Sequence, residues 1–107
     1  MKIYEIQIPD RKRRYWESLE ESNAHGLRLW SIACYLRSAV ELSEEQIPGS
    51  LEHLNEVCGI LHEINELHNQ AGSLSPFLYG LRNEAREQLR GAIVSYFADF
   101  RDLLKLV

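Results

Sequence analysis

The sequence has little cysteine, little proline and no long apolar run. Of its 107 residues, two are cysteine and three are proline, which excludes a disulfide-stapled or collagen-like chain. No segment reaches the roughly 18 apolar residues that a membrane span needs. Lys2, Glu5 and Gln7 interrupt the first eight positions, so this stretch does not read as a signal peptide. We therefore expect a cytoplasmic protein with no membrane association.

Motifs of catalysis are also missing. The chain has no P-loop, no G-x-S-x-G nucleophile elbow and no C-x-x-C pair, so we predict no catalytic residue, no metal ligand and no cofactor. Its 45% hydrophobic and 26% charged residues are ordinary for a soluble domain. At this length one core is the limit, and we expect a single domain over 1–107.

Helical periodicity dominates what is present. Apolar or small residues follow a heptad at Tyr15, Leu19, Ser22, Gly26, Leu29, Ala33, Leu36 and Val40. Because the heptad phase continues through the polar cluster at 22–26, we predict one long helix over about 11–42. Turn residues then separate it from helices over about 51–70 and 76–105. The predicted fold is all-α, with three long antiparallel helices.

A short strand or extended arm at 1–9 precedes the helices. Tyr4, Ile6 and Ile8 alternate with polar residues there, and a lone strand needs a pairing partner. Helices of about 30 residues would reach roughly 45 Å, so the monomer would be a rod with uncovered apolar flanks. We therefore predict a dimeric helical bundle. The expected interface residues are Tyr4, Ile6, Ile8, Gly26, Leu29, Trp30, His53 and His68.

Charge is distributed unevenly along the chain. Residues 41–70 contain seven glutamates and no lysine or arginine, whereas the total over the chain is only -4. Helical projection places four of these glutamates opposite the apolar arc, namely Glu52, Glu56, Glu63 and Glu66. They could be solvated or could pair with Arg82, Arg86 and Arg90. Alternatively, this acidic face meets a basic surface on another protein.

Two metal sites and a nucleic-acid patch are alternatives. Cys58, His62 and Glu66 share a helical stripe suited to zinc. Glu41 with Glu44, and Glu63 with Glu66, could hold magnesium in an all-α hydrolase of nucleotides or phosphate esters. The basic run 11–14 precedes Tyr15 and Trp16, but four cations in an acidic chain are too few for us to expect nucleic acid.

The remaining features favour contact with proteins. We predict a small non-catalytic protein-binding regulator, such as an adaptor, inhibitor, antitoxin-like neutraliser or chaperone. Its partner would be a protein with a basic surface, steered by the acidic face, with Tyr79 and Phe97 as aromatic anchors. The magnesium-dependent hydrolase is the alternative. The predicted partner-binding residues are Glu52, Glu56, Glu63, Glu66, Tyr79 and Phe97.

Overall fold

The computed structural model of the protein describes residues 7–21, 25–43 and 48–107. Its elements in chain order are α1 (Asp10–Glu21), α2 (His25–Leu42), α3 (Ser50–Ala71), α4 (Pro76–Tyr96) and a C-terminal 3₁₀ helix (Ala98–Leu106). The described residues form helices and connections and no strand, so the predicted all-α class is confirmed. None of these helices combines the length and the hydropathy that crossing a membrane requires.

The predicted helix over 11–42 is wrong, because α1 and α2 form an antiparallel hairpin. The Tyr35 hydroxyl donates to the Gln7 carbonyl at 2.9 Å, and Trp16 Nε1 donates to Ser31 Oγ at 2.9 Å. In one continuous helix over 11–42, Trp16 and Ser31 would lie about 22 Å apart along the helix axis. A heptad phase that continues does not require a continuous helix, since each helix of a hairpin buries one stripe.

The predicted helix over 76–105 is also interrupted. At Phe97 the backbone leaves the helical region, with φ -127 and ψ 49, and the chain folds back on α4. Arg86 Nε donates to the Val107 carbonyl at 2.7 Å, whereas one continuous helix would separate these residues by about 31 Å. Neither glycine nor proline marks this break; Phe97 is itself buried in the core there.

Local signals predict both ends of α3 and the start of α4. Gly49 and Gly72 flank α3 in the left-handed conformation, with φ 81 and φ 75, which glycine adopts without steric cost. Ser75 caps α4 by accepting a hydrogen bond from the Leu78 amide at 3.3 Å. Pro76 follows at the start of the helix, where its missing donor leaves no bond unmade.

The helices pack antiparallel in chain order and enclose one core. Trp30 of α2 lies against His62 of α3, and α3 in turn runs antiparallel to α4. An ion pair between Arg13 and Asp102 links α1 to the C-terminal 3₁₀ helix. The largest fully buried side chains are Trp16, Phe97, Leu29, Ile32, Leu36, Leu54, Leu61, Leu89, Ile93 and Leu103.

The molecule is a compact globule, so the predicted rod is wrong. Its radius of gyration is 13.7 Å, close to the roughly 13 Å expected for a globular chain of this length. The extents are 41 × 28 × 19 Å. Because α1 and the 3₁₀ helix fold back, the apolar stripes are buried within one chain.

The predicted N-terminal strand lies mostly outside the described residues. Tyr4 and Ile6 lie outside the described residues. Residues 7–9 form no strand, and Ile8 packs into the core of its own chain at 8% exposure. Ile8 is therefore not available as an exposed dimer contact in this structure.

Candidate functional site

The outer side of α3 carries the acidic face. Glu52, Glu56, Glu63 and Glu66 are all exposed, and their spacing of three, four and seven places them on one side of the helix. The opposite side is buried, with Leu54, Val57, Leu61 and Ile64 in the core. Within the described residues, no basic side chain forms an ion pair with any of the four glutamates.

The arginines of α4 do not neutralise this face. Arg90 donates to the Leu104 carbonyl at 3.0 Å, and Arg86 donates to Val107 in the same way. Arg82 lies over the Tyr79 ring, 4.7 Å from its centroid. The described part of the chain thus shows none of the pairings between α3 and α4 that could have neutralised the face.

A cleft lined by both apolar and polar side chains lies at the end of the acidic face, where the chain passes from α3 into α4. This turn cleft has a volume of about 440 Å³ and is lined by Leu67, Gln70, Ala71, Ser73, Leu74, Ser75 and Leu78. Leu67 follows Glu63 by one helical turn, and Gln70 follows Glu66 in the same way. The acidic face therefore continues directly into the turn cleft along α3.

Two exposed aromatic side chains lie at the start of α4. Phe77 is 73% exposed and Tyr79 is 47% exposed, both in the first turn of α4. Tyr79 is one of the predicted anchors, and its exposure suits that role. Phe77 and the turn cleft are not predicted from the sequence. The signal for them is that Leu74, Phe77 and Leu78 cluster around a turn, where polar residues are usual.

Three of the predicted contact residues are buried within their own chain. Phe97 is fully buried, so it stabilises the fold and is not an exposed anchor. Leu29 is likewise buried, and Gly26 lies against α3, whose Asn65 Nδ2 donates to the Gly26 carbonyl at 3.3 Å. A Cβ at position 26 would stand 2.6 Å from Asn65 Oδ1. The small residue thus admits a helix of the same chain.

The other predicted interface residues on α2 and α3 are half-buried and contact their own chain. The Trp30 ring lies 5.4 Å from that of His62. The His53 ring meets Tyr96 edge-on at 6.2 Å. The His68 carbonyl accepts the Gly72 amide that ends α3. Each has a local role that involves no second copy.

The zinc alternative does not fit the geometry of α3. Cys58 is buried, whereas His62 and Glu66 are exposed, so the stripe runs from the core to solvent. Burial, followed by the neighbouring Cys34 thiol, raises the pKa of Cys58 to about 12, which disfavours the thiolate that zinc requires. Among the described residues, no three His, Cys, Asp or Glu side chains are grouped to hold a metal ion.

The glutamates of the hydrolase alternative are separated by the helical register. The contact of Trp30 with His62 places Glu41, near the end of α2, opposite the start of α3. Glu63 lies about 12 residues further along α3, or roughly 18 Å. Glu44 lies outside the described residues. Glu41 therefore does not converge with Glu63 and Glu66 on one magnesium site.

The basic run of α1 is partly used within the fold. Arg13 pairs with Asp102 of the C-terminal 3₁₀ helix. Arg11 and Lys12 line a surface cleft of about 510 Å³ with Tyr15 and Ser31. Asp102 is 89 residues from Arg13, so only the folded chain brings this anion to the start of α1, where the helix dipole disfavours cations.

Similarity to known proteins gives no function for the acidic face or the turn cleft. Comparison with protein-family models, with curated proteins and with solved structures finds no significant match. We therefore infer a function from the geometry and charge of the acidic face and the turn cleft.

Proposed function

We propose that the protein is a non-catalytic binding module that recognises a basic amphipathic segment of another protein. The acidic face of α3 attracts the cationic side chains, and the turn cleft takes an apolar anchor. The observation that carries the proposal is the row of four exposed glutamates, which have no basic partner among the described residues. This row leads into the turn cleft, whose lining includes Leu67, Leu74 and Leu78.

The dimensions of this surface define its occupant. Glu52 and Glu66 are 14 residues apart, which corresponds to about 21 Å along the helix axis. A segment of similar length with regularly spaced lysines or arginines would cover the face. Its apolar side chain would enter the turn cleft beside Leu67 and Leu78. Such an arrangement combines charge steering with an apolar anchor, as protein interfaces commonly do.

Electrostatics favours this occupant over a neutral or acidic one. Like charges three and four residues apart on a helix destabilise it slightly, and a basic partner relieves that repulsion. The interaction is between exposed groups, so dissolved salt must weaken it. A purely apolar contact would show no such dependence.

Titration with designed peptides tests the proposal. The probe is a fluorescently labelled helical peptide of alternating leucine and lysine blocks, and its control has glutamate in place of lysine. We expect the protein to bind the basic peptide, with an affinity that falls as salt increases, and not the acidic one. Equal binding of the two peptides, or a salt-independent affinity, would contradict the proposal.

The homodimer and the cytoplasmic location remain predictions. The argument for a dimer was uncovered apolar flanks, and the fold buries the main apolar stripes within one chain. Among the described residues, the large apolar side chains that remain exposed are Tyr15, Leu42, Leu67, Phe77, Tyr79 and Val94. Light scattering on the purified protein would give the mass in solution and decide between monomer and dimer.

A further inference from the structure

The register of α2 against α3 brings the two cysteines together. Asn65 bonds to the Gly26 carbonyl, and Trp30 lies against His62 one turn later. In an antiparallel pair, the next turn places Cys34 opposite Cys58. The Cys34 thiol is close enough to contribute, after burial, to the raised pKa of Cys58.

The same register extends to the other side of the cysteines. Arg37 of α2 and Asn55 of α3 line one cleft together with Cys58. The two cysteines therefore lie along the seam where α2 and α3 pack against each other. Both are free thiols, 24 positions apart in the sequence.

The two thiols differ in their access to solvent. Cys58 is only 2% exposed. Cys34 is half-buried and lines an open cleft of about 310 Å³ that also contains Lys12 and Ser38. A small oxidant in solution would therefore reach Cys34 before Cys58.

We propose that Cys34 and Cys58 are a redox modification site, which a peroxide converts into an intrachain disulfide between α2 and α3. The Cys34 sulfur attacks one peroxide oxygen, so an S–O bond forms, the O–O bond breaks and water leaves. The Cys58 sulfur then attacks the Cys34 sulfur. The S–S bond forms, the S–O bond breaks, and the departing hydroxide takes the Cys58 proton as a second water.

The environment of each thiol suits this order of events. Cys58 is 2% exposed, so burial keeps it from reagents in bulk solvent, and the oxidised Cys34 sulfur is the electrophile next to it. The crosslink restrains the loop between the two cysteines in the unfolded chain, which stabilises the folded state. It also fixes α3, and with it the acidic face, against α2.

Intact-mass spectrometry of the full chain tests the proposal directly. After equimolar hydrogen peroxide, we expect the chain to lose the mass of two hydrogen atoms and to take up no iodoacetamide when unfolded. Dithiothreitol should restore both labels. A non-reducing digest should contain one disulfide-linked peptide pair holding Cys34 and Cys58, and the oxidised protein should melt at a higher temperature than the reduced one.

Single variants separate the two roles. In Cys58→Ser, peroxide should leave Cys34 as a sulfenic acid that dimedone traps; in Cys34→Ser, Cys58 should stay reduced under the same treatment. Oxygen added to Cys34 of the unaltered chain while Cys58 remains free, or a disulfide between two chains, would overturn the proposal. The digest of the unaltered chain gives this answer even if a variant folds poorly.

Discussion

The junction of α4 with the C-terminal 3₁₀ helix and the outer surface of α3 contain similar residues with different roles. At the junction, Arg86 and Arg90 donate to backbone carbonyls, and Phe97 is buried. On the α3 side, the glutamates are exposed and Phe77 is 73% exposed. At the junction, charged groups and an aromatic ring hold the fold. On the acidic face and at the start of α4, charged groups and an aromatic ring are exposed and available to a partner.

This difference shows that a residue's type and helical spacing do not by themselves reveal its role. The arginine row and the glutamate row both have regular helical spacing. The two rows differ because the C-terminal segment folds back on α4 and supplies carbonyl acceptors to Arg86 and Arg90. Substitutions in the two regions should therefore change different measurements.

The largest effect is expected from the two phenylalanines. Phe97→Ala removes a fully buried ring and should lower the free energy of unfolding by about 3–5 kcal/mol. Phe77→Ala, its matched control, should change stability by no more than about 0.5 kcal/mol. Urea denaturation followed by circular dichroism measures both. Similar losses for the two variants would remove the distinction between the regions.

The next effect concerns the arginines. Arg90→Met keeps much of the side-chain volume but removes the hydrogen bond to the Leu104 carbonyl, so we expect a loss of about 1–2 kcal/mol. Glu66→Gln on the acidic face should leave stability within about 0.5 kcal/mol of the unaltered protein. The same denaturation experiment compares them. A destabilising Glu66→Gln would mean that the acidic face also holds the fold.

A smaller effect is expected on binding. Glu63→Gln with Glu66→Gln should weaken binding of the leucine-lysine peptide about 3–5-fold, because each exposed charge contributes roughly 0.3–0.5 kcal/mol. Glu17→Gln with Glu84→Gln removes the same charge from exposed positions on α1 and α4. Peptide titrations on both variants separate local contact from net charge. An equal loss in the control would show that only net charge matters.

A further effect appears only at alkaline pH. The pKa of Cys58 is raised from 9.0 to about 12 by burial and by Cys34, so above pH 9 the unfolded chain releases this proton while the folded chain retains it. Stability should therefore fall as pH rises from about 9 toward 12, with no contribution from Cys58 below that window. Cys58→Ala should show a shallower fall in the same denaturation series. An unchanged slope would contradict the assignment.

The parts predicted correctly from sequence are those that neighbouring residues determine. The all-α class follows from periodicity, and both ends of α3 and the start of α4 follow from turn and cap residues near Gly49, Gly72 and Ser75. The exposed acidic face is also readable, because residues 41–70 contain no basic side chain.

The errors arise where distant parts of the chain decide the outcome. The division of 11–42 into α1 and α2 allows Trp16 to pack against α2, and heptad phase carries no information about that reversal. The break at Phe97 depends on burying an aromatic ring that could equally have continued a helical stripe. The turn cleft exists only because α3 and α4 are joined at this angle, so no local pattern specifies its shape.

The location of the bound peptide tests the central claim most directly. Amide chemical shifts of the isotope-labelled protein would be followed by NMR while the leucine-lysine peptide is added. We predict that the largest shifts fall in residues 52–78, along the acidic face and around the turn cleft, with little change in α1 or the 3₁₀ helix. Shifts concentrated on α1, or spread evenly over the molecule, would contradict the account.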